Sequence, residues 1–176
     1  MIERLKNFGL DLEHTSMTPF FQVQESHRIR FGSEKFDYSN IKLLHEILLR
    51  VLEQNETIDV SFTIGNKFDE NEKIRYKKTS LGKFFTIKNW KETVIWNDDL
   101  ECYLVFATVK NLNKEEIINY CKKVISGFTQ TYIMFYNDSN LIYINSDVLD
   151  IISINSEYIA DLEKAYDGIF DTEYKS

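Results

Sequence analysis

Apolar residues recur along this chain with two periods, one helical and one of strict alternation, and the order in which they follow each other is irregular. The strongest helical stretch is DYSNIKLLHEILLRVLEQN, in which Ile41, Leu44, Leu48, Val51 and Leu52 fall on one stripe. Leu43, Ile47 and Leu49 widen that stripe, so the helix is expected to be covered on more than one side. Asp37 or Ser39 is placed to cap it. NKEEIINYCKKVISGF predicts a second helix, with Asn113 as cap, glutamates in the first turn and lysines later, an order that suits the helix dipole. Its stripe is Ile117, Cys121, Val124, Ile125 and Phe128. SEYIADLEKAYDGIF predicts a helix opening at Ser156 and burying Ile159, Leu162, Tyr166 and Ile169. A short amphipathic start, IERLKNFGLDL, is expected to end at Gly9.

The other stretches are rich in β-branched and aromatic residues and read as strands: HRIRF, TIDVSFTI, ETVIW, ECYLVFATV, TYIMFY, LIYIN and VLDIISIN. In the first, Ile29 and Phe31 face one way and Arg28 and Arg30 the other. The cluster Asn137-Asp138-Ser139-Asn140 favours a tight turn between TYIMFY and LIYIN. The element order is thus α-β-α-β-β-β-α-β-β-β-α, and residues 65–90 carry neither period clearly. Without regular βαβ alternation, the expectation is one α+β domain over residues 1–176, a largely antiparallel sheet with about four helices.

Composition narrows the class. A hydrophobic content of 43% with 14% aromatics supports a packed core, and six Gly with one Pro leave little room for long linkers. Two cysteines, Cys102 and Cys121, are too few for a disulfide framework and suit a reducing compartment. The N-terminal stretch lacks the apolar run of a secretory leader, and YLVFATV is far shorter than a membrane span, so a cytoplasmic location off the membrane is expected.

Charge changes the picture more. Nine acidic residues and two lysines lie between Asp138 and Ser176, which accounts for the whole net charge of −7. Lys73 to Lys91 holds seven basic residues and no acid, with Tyr76, Phe84, Phe85 and Trp90 between them. Cations with interleaved aromatics could bind single-stranded nucleic acid; the same pattern also describes aromatics turned inward and lysines outward. At the other end, the stripe of the last helix leaves Glu157, Asp161, Lys164, Asp167 and Asp171 on its outer side. Such a face attracts a basic partner, or is simply solvated.

Catalytic signals are weak. Asp138, Asp147 and Asp150 read as turn and strand-edge residues, since no Asp-x-Asp-x-Asp-Gly loop is present. His14, His27 and His45 lack zinc-ligand spacing, and each reads as a structural, hydrogen-bonded residue. The cysteines read as buried apolar positions, and neither a Gly-rich phosphate loop nor a Gly-x-Ser-x-Gly elbow occurs. No catalytic residue, cofactor or metal site is assigned.

The ordered series HRIRFG, IKLLHEILLRVL, ETIDVSF, NLNKEEIINYCKKVISGF, YIMFYNDSNLIYINSDVLDIIS and LEKAYDGIFD resembles the bacterial family described as domain of unknown function 3885. That family carries an Asp-Asp-Arg-Gly turn before its last strand; INSDVLDII here is shorter and has neither Arg nor Gly, so no role of that turn carries over. The resemblance implies an immunity- or antitoxin-like inhibitor. The expectation is a non-enzymatic protein whose Glu157, Asp161, Asp167 and Asp171 dock on a basic partner such as a toxin, with nucleic-acid binding by residues 73–91 as the alternative.

Overall fold

Every strand pair in this protein is antiparallel, and the strands join into one sheet. The computed structural model describes residues 2–14, 17–36, 39–52, 57–128 and 132–175. Along the chain these form α1 (Ile2–Lys6), α2 (Pro19–Gln22), β1 (Arg28–Gly32), α3 (Ile41–Leu52), β2 (Ile58–Lys67), β3 (Arg75–Tyr76) and β4 (Trp90–Asn97). Then follow β5 (Cys102–Leu112), α4 (Lys114–Ile125), β6 (Ile133–Tyr136), β7 (Asn140–Ile144), β8 (Val148–Ser153) and α5 (Ser156–Ala165). The strand order is β1-β8-β7-β6-β2-β5-β4, with β3 attached to β2. This is the α+β architecture expected, with two additions, the four-residue α2 and the two-residue β3.

Local chemistry fixes the elements as the sequence suggests. Asn113 caps α4 through a full capping box, its side chain accepting from the first turn while Glu116 reaches back to the Asn113 N–H. Asn137 Oδ1 accepts from the Ser139 and Asn140 N–H groups and closes the β6–β7 turn. Of the two expected caps for α3, Asp37 lies outside the described residues, and the helix opens two residues after Ser39.

Each sheet face is covered differently. On one face, α3, α4 and α5 bury Leu44, Ile47, Leu48, Val51, Ile117, Val124, Ile159 and Leu162 against Ile29, Phe31, Val60, Phe62, Val105, Phe135 and Ile151. On the other, the N-terminal segment lays Leu5, Phe8, Leu10 and Leu12 over Ile95, Leu104, Phe106, Met134, Leu141 and Ile152. With both faces covered, β6 and β7 are buried at every position, which explains their near-continuous apolar runs.

The uncertain stretch 65–90 is held by tertiary contacts. β3 lies against β2 so closely that a Cβ on Gly65 would stand 2.6 Å from the Arg75 carbonyl oxygen. The chain then returns over the helical face, where Leu81 and Phe85 are buried. Phe84 and Phe85 pack edge-on or tilted against Tyr120, with ring centroids 5.5 and 5.2 Å away.

Candidate interaction surfaces

The acidic end is smaller than the helical spacing predicts. α5 stops at Ala165 with Tyr166 as its C-cap, and Gly168 takes a left-handed φ of +73° in the turn that follows. The N-cap is Asn155, whose side chain accepts from the Glu157 N–H, and the helix begins at Ser156. Glu157 and Asp161 are therefore exposed on α5 and Asp167 is exposed in the turn beyond it. Asp171 does not share that face. It is half-buried and its N–H donates to the Arg30 carbonyl at 2.9 Å. Burial, together with Glu34 nearby, holds its carboxyl above the usual range. Of the two lysines in this region, Lys175 pairs with Glu163 and donates to the Glu25 and Arg28 carbonyls at 2.7 Å each. Glu157, Asp161 and Asp167 have no ion-pair partner among the described residues.

Asp150 departs most from its expected role. It is not an edge residue: it sits in β8, fully buried, and accepts from Arg30 Nε at 2.6 Å and Arg30 Nη2 at 2.8 Å. The guanidinium of Arg30 lies 4.0 Å from the Phe20 ring centre, 4.8 Å from Phe21 and 5.0 Å from Tyr174. A forked ion pair is thus enclosed by three rings, which pack edge-on against one another. Burial pushes the Asp150 carboxyl up to about 6 against the pull of Arg30. On Arg30 burial acts downward, but the bond to Asp150 outweighs it and holds the guanidinium above its ordinary value. Both groups are consequently charged at neutral pH. The sequence carried a signal for this pair: Asp150 stands alone among apolar residues in VLDIIS, and an isolated charge inside a strand demands an opposite one across the ladder. Arg30 is its register partner.

Asp138 and Asp147 do occupy turns. Asp138 also receives Arg4 Nε at 2.7 Å, while Arg4 Nη1 reaches the buried Asp59 at 2.6 Å. This bridge ties α1 to the sheet. His27 Nδ1 lies 2.8 Å from the Ser153 carbonyl oxygen, as expected of a structural residue, whereas His14 is half-exposed beside Asp98 and Asp99 at 3.7 and 3.5 Å. His45 is half-buried on α3. Cys102 and Cys121 are free and buried on opposite faces of the sheet, and burial pushes the Cys121 thiol far up. Among the described residues no three His, Cys, Asp or Glu side chains converge as a metal site.

The basic segment divides its aromatics. Phe84 and Phe85 belong to the core, while Tyr76 and Trp90 are exposed and both are tied to Glu92. Tyr76 Oη donates to Glu92 Oε2 at 3.1 Å and Trp90 Nε1 to Glu92 Oε1 at 3.0 Å. An acid therefore stands between the two rings left to stack on a base.

Among the described residues no helix is long and apolar enough to cross a membrane. No family model matches the chain, and no curated protein and no solved structure is found to be similar to it.

Proposed function

We propose that this is a non-enzymatic binding protein that docks its acidic C-terminal surface on a basic protein and covers it. The observation that carries the reading is the exposed trio Glu157, Asp161 and Asp167, uncompensated by any ion pair among the described residues. Such groups attract lysines or arginines of a partner through solvent, which gives a fast, salt-sensitive association. The surface rests on rigid supports, since Ile159 and Leu162 anchor α5 to the core and Lys175 ties the following segment to β1. Asp171 is assigned to that support and not to the contact.

The resemblance to the domain of unknown function 3885 family supplies the more specific reading, an immunity-like inhibitor of a basic toxin. Free, buried cysteines suit a cytoplasmic site of action. Nucleic-acid binding by residues 73–91 is less favoured, because two of its four aromatics are packed inside and the other two hold a carboxylate.

The test is capture from source lysate at low salt with the wild-type chain and with Asp161→Lys/Asp167→Lys. The expected result is one stoichiometric basic protein, released by salt and lost with the double variant. Equal capture by both baits, or capture of nucleic acid alone, would overturn the reading.

A further inference from the structure

Among the described residues the sheet ends laterally at β1 and at β4, and only the β1 strand has its outer carbonyls taken by another segment. At β1, the Asp171 N–H and the Lys175 ammonium occupy the carbonyls of Arg30 and Arg28. At β4, eight residues from Trp90 to Asn97 pair with β5 on one side and with no strand on the other among the described residues. That side is also apolar at its surface: Trp90, Val94 and Trp96 are 43%, 44% and 39% exposed and lie on one face of the strand. A long open edge with exposed aromatics is a template for another strand.

The sequence of the edge identifies the strand that fits. A two-fold axis can cross an antiparallel ladder only through a pair of equivalent residues, because narrow and wide pairs alternate along it. Centred on Thr93, the segment KNWKETVIWND, residues 88–98, meets itself in a matched register. Lys88 faces Asp98 of the second copy, Asn89 faces Asn97, Trp90 faces Trp96, Glu92 faces Val94 and Lys91 faces Ile95. Centring on Glu92 instead sets Lys88 against Trp96, and centring on Val94 sets Trp90 against Asp98. Only the Thr93 register joins opposite charges at both ends and pairs the aromatics, the combinations that stabilise neighbouring strands.

The charge at each end of β4 agrees with this. Lys88 and Lys91 lie at the start and are exposed, while Asp98, Asp99 and Glu101 lie beyond the end and are exposed. Antiparallel approach of a second copy sets each basic end beside an acidic end. Asp98 is already engaged within its own chain: its N–H donates to the Glu13 carbonyl at 2.8 Å, and its carboxylate accepts from Trp96 Nε1 at 2.8 Å and faces His14 at 3.7 Å. The backbone ladder of the pairing therefore runs over Trp90–Asn97, and Asp98 contributes through its side chain. Its contacts hold the carboxylate at the end of the strand, where the incoming lysine arrives.

We infer that β4 pairs with β4 of a second copy about a two-fold axis through Thr93, so that the sheets of two chains become continuous. The interface is isologous, uses no residue of the acidic C-terminal surface and leaves that surface facing outward at both ends of the dimer.

The test begins with the unaltered protein. Sedimentation equilibrium should show a species of twice the chain mass whose share rises with concentration across about 1 μM to 1 mM. Mild oxidation of Thr93→Cys should give a disulfide-linked dimer, since residues opposed across the axis have Cα atoms about 4.5–5.5 Å apart, within disulfide range. Glu92→Cys should not crosslink, because its two copies lie about 8 Å apart in this register. The native cysteines are buried and do not compete. Lys88→Asp and Asp98→Lys should each weaken self-association about tenfold, and their equimolar mixture should restore it, because the heterodimer recovers both ion pairs. A chain that stays monomeric throughout with no Thr93→Cys crosslink would overturn the inference, as would Glu92→Cys crosslinking as well as Thr93→Cys. Failure of the mixture to recover would overturn the register.

Discussion

The β1 and β4 edges of the sheet solve the same problem in opposite ways. β1 is short, its carbonyls are taken by the C-terminal segment, and a charge pair enclosed by Phe20, Phe21 and Tyr174 locks it to β8. β4 is longer, pairs with no strand on its outer side among the described residues, and is set with tryptophans. Exposed backbone donors and acceptors are a hazard unless something covers them. One edge is covered by the chain's own C-terminus, and the proposed cover for the other is a second copy. The difference assigns distinct roles to charge: buried and paired at β1, where it specifies packing, and exposed at β4, where it specifies register.

This contrast sets the order of effects. The largest belongs to the enclosed pair. Asp150→Ala leaves the Arg30 guanidinium buried without a counter-charge and should cost about 3–5 kcal/mol in denaturant unfolding, whereas a well-packed apolar replacement of both residues should cost far less. Asp150 also gives a pH signature. Its carboxyl titrates near 6 in the folded protein and near its ordinary acidic value when unfolded, so the folded state binds the extra proton between them. The Asp150 contribution to stability is thus fully present below the unfolded value and declines as pH rises through 4 to 6. Asp150→Asn should abolish that falling component, and an unchanged pH slope in the variant would contradict it.

A smaller effect is expected where β3 meets β2. Gly65→Ala sets a methyl group against the Arg75 carbonyl at 2.6 Å, and should cost about 1–3 kcal/mol or release β3. Lys175→Ala removes the clamp on the β1 edge, and a loss of about 1–2 kcal/mol should accompany faster amide exchange in β1. Smallest of all, Lys88→Asp should change monomer stability by no more than about 0.5 kcal/mol, since the residue is exposed, while still weakening association. A variant at β4 that unfolded the monomer would erase the contrast between the edges.

What the sequence disclosed, and what it hid, follows from which interactions are local. The long strands and α3, α4 and the start of α5 were legible because their periodicity and caps lie within each segment: Asn113 with Glu116, and Asn137 with its own turn. The end of α5 is not legible because Tyr166, Ile169 and Phe170 continue the apolar spacing although the helix caps at Tyr166 and a turn through Gly168 follows. α2 spans four residues, too few for any period to register, although Pro19 opens it. β3 and the return over the helical face depend on Gly65, Tyr120 and Phe135, residues distant in sequence. Of the surface residues, Glu157, Asp161 and Asp167 are exposed as helical spacing suggested. Asp171 is not, because the chain turns it toward Arg30 and Gly32. Arg30 and Asp150 were each visible, but their pairing exists only in the register of β1 with β8.

The contrast between the edges is open to one direct measurement, amide hydrogen exchange at a low and a high concentration of the unaltered protein. Amides of β4 that point away from β5 should exchange quickly in dilute solution and become protected as concentration rises, while β1 stays protected at both. Protection of β4 that is the same at both concentrations would contradict the account, because the edge would then be either closed within the chain or left open by the second copy.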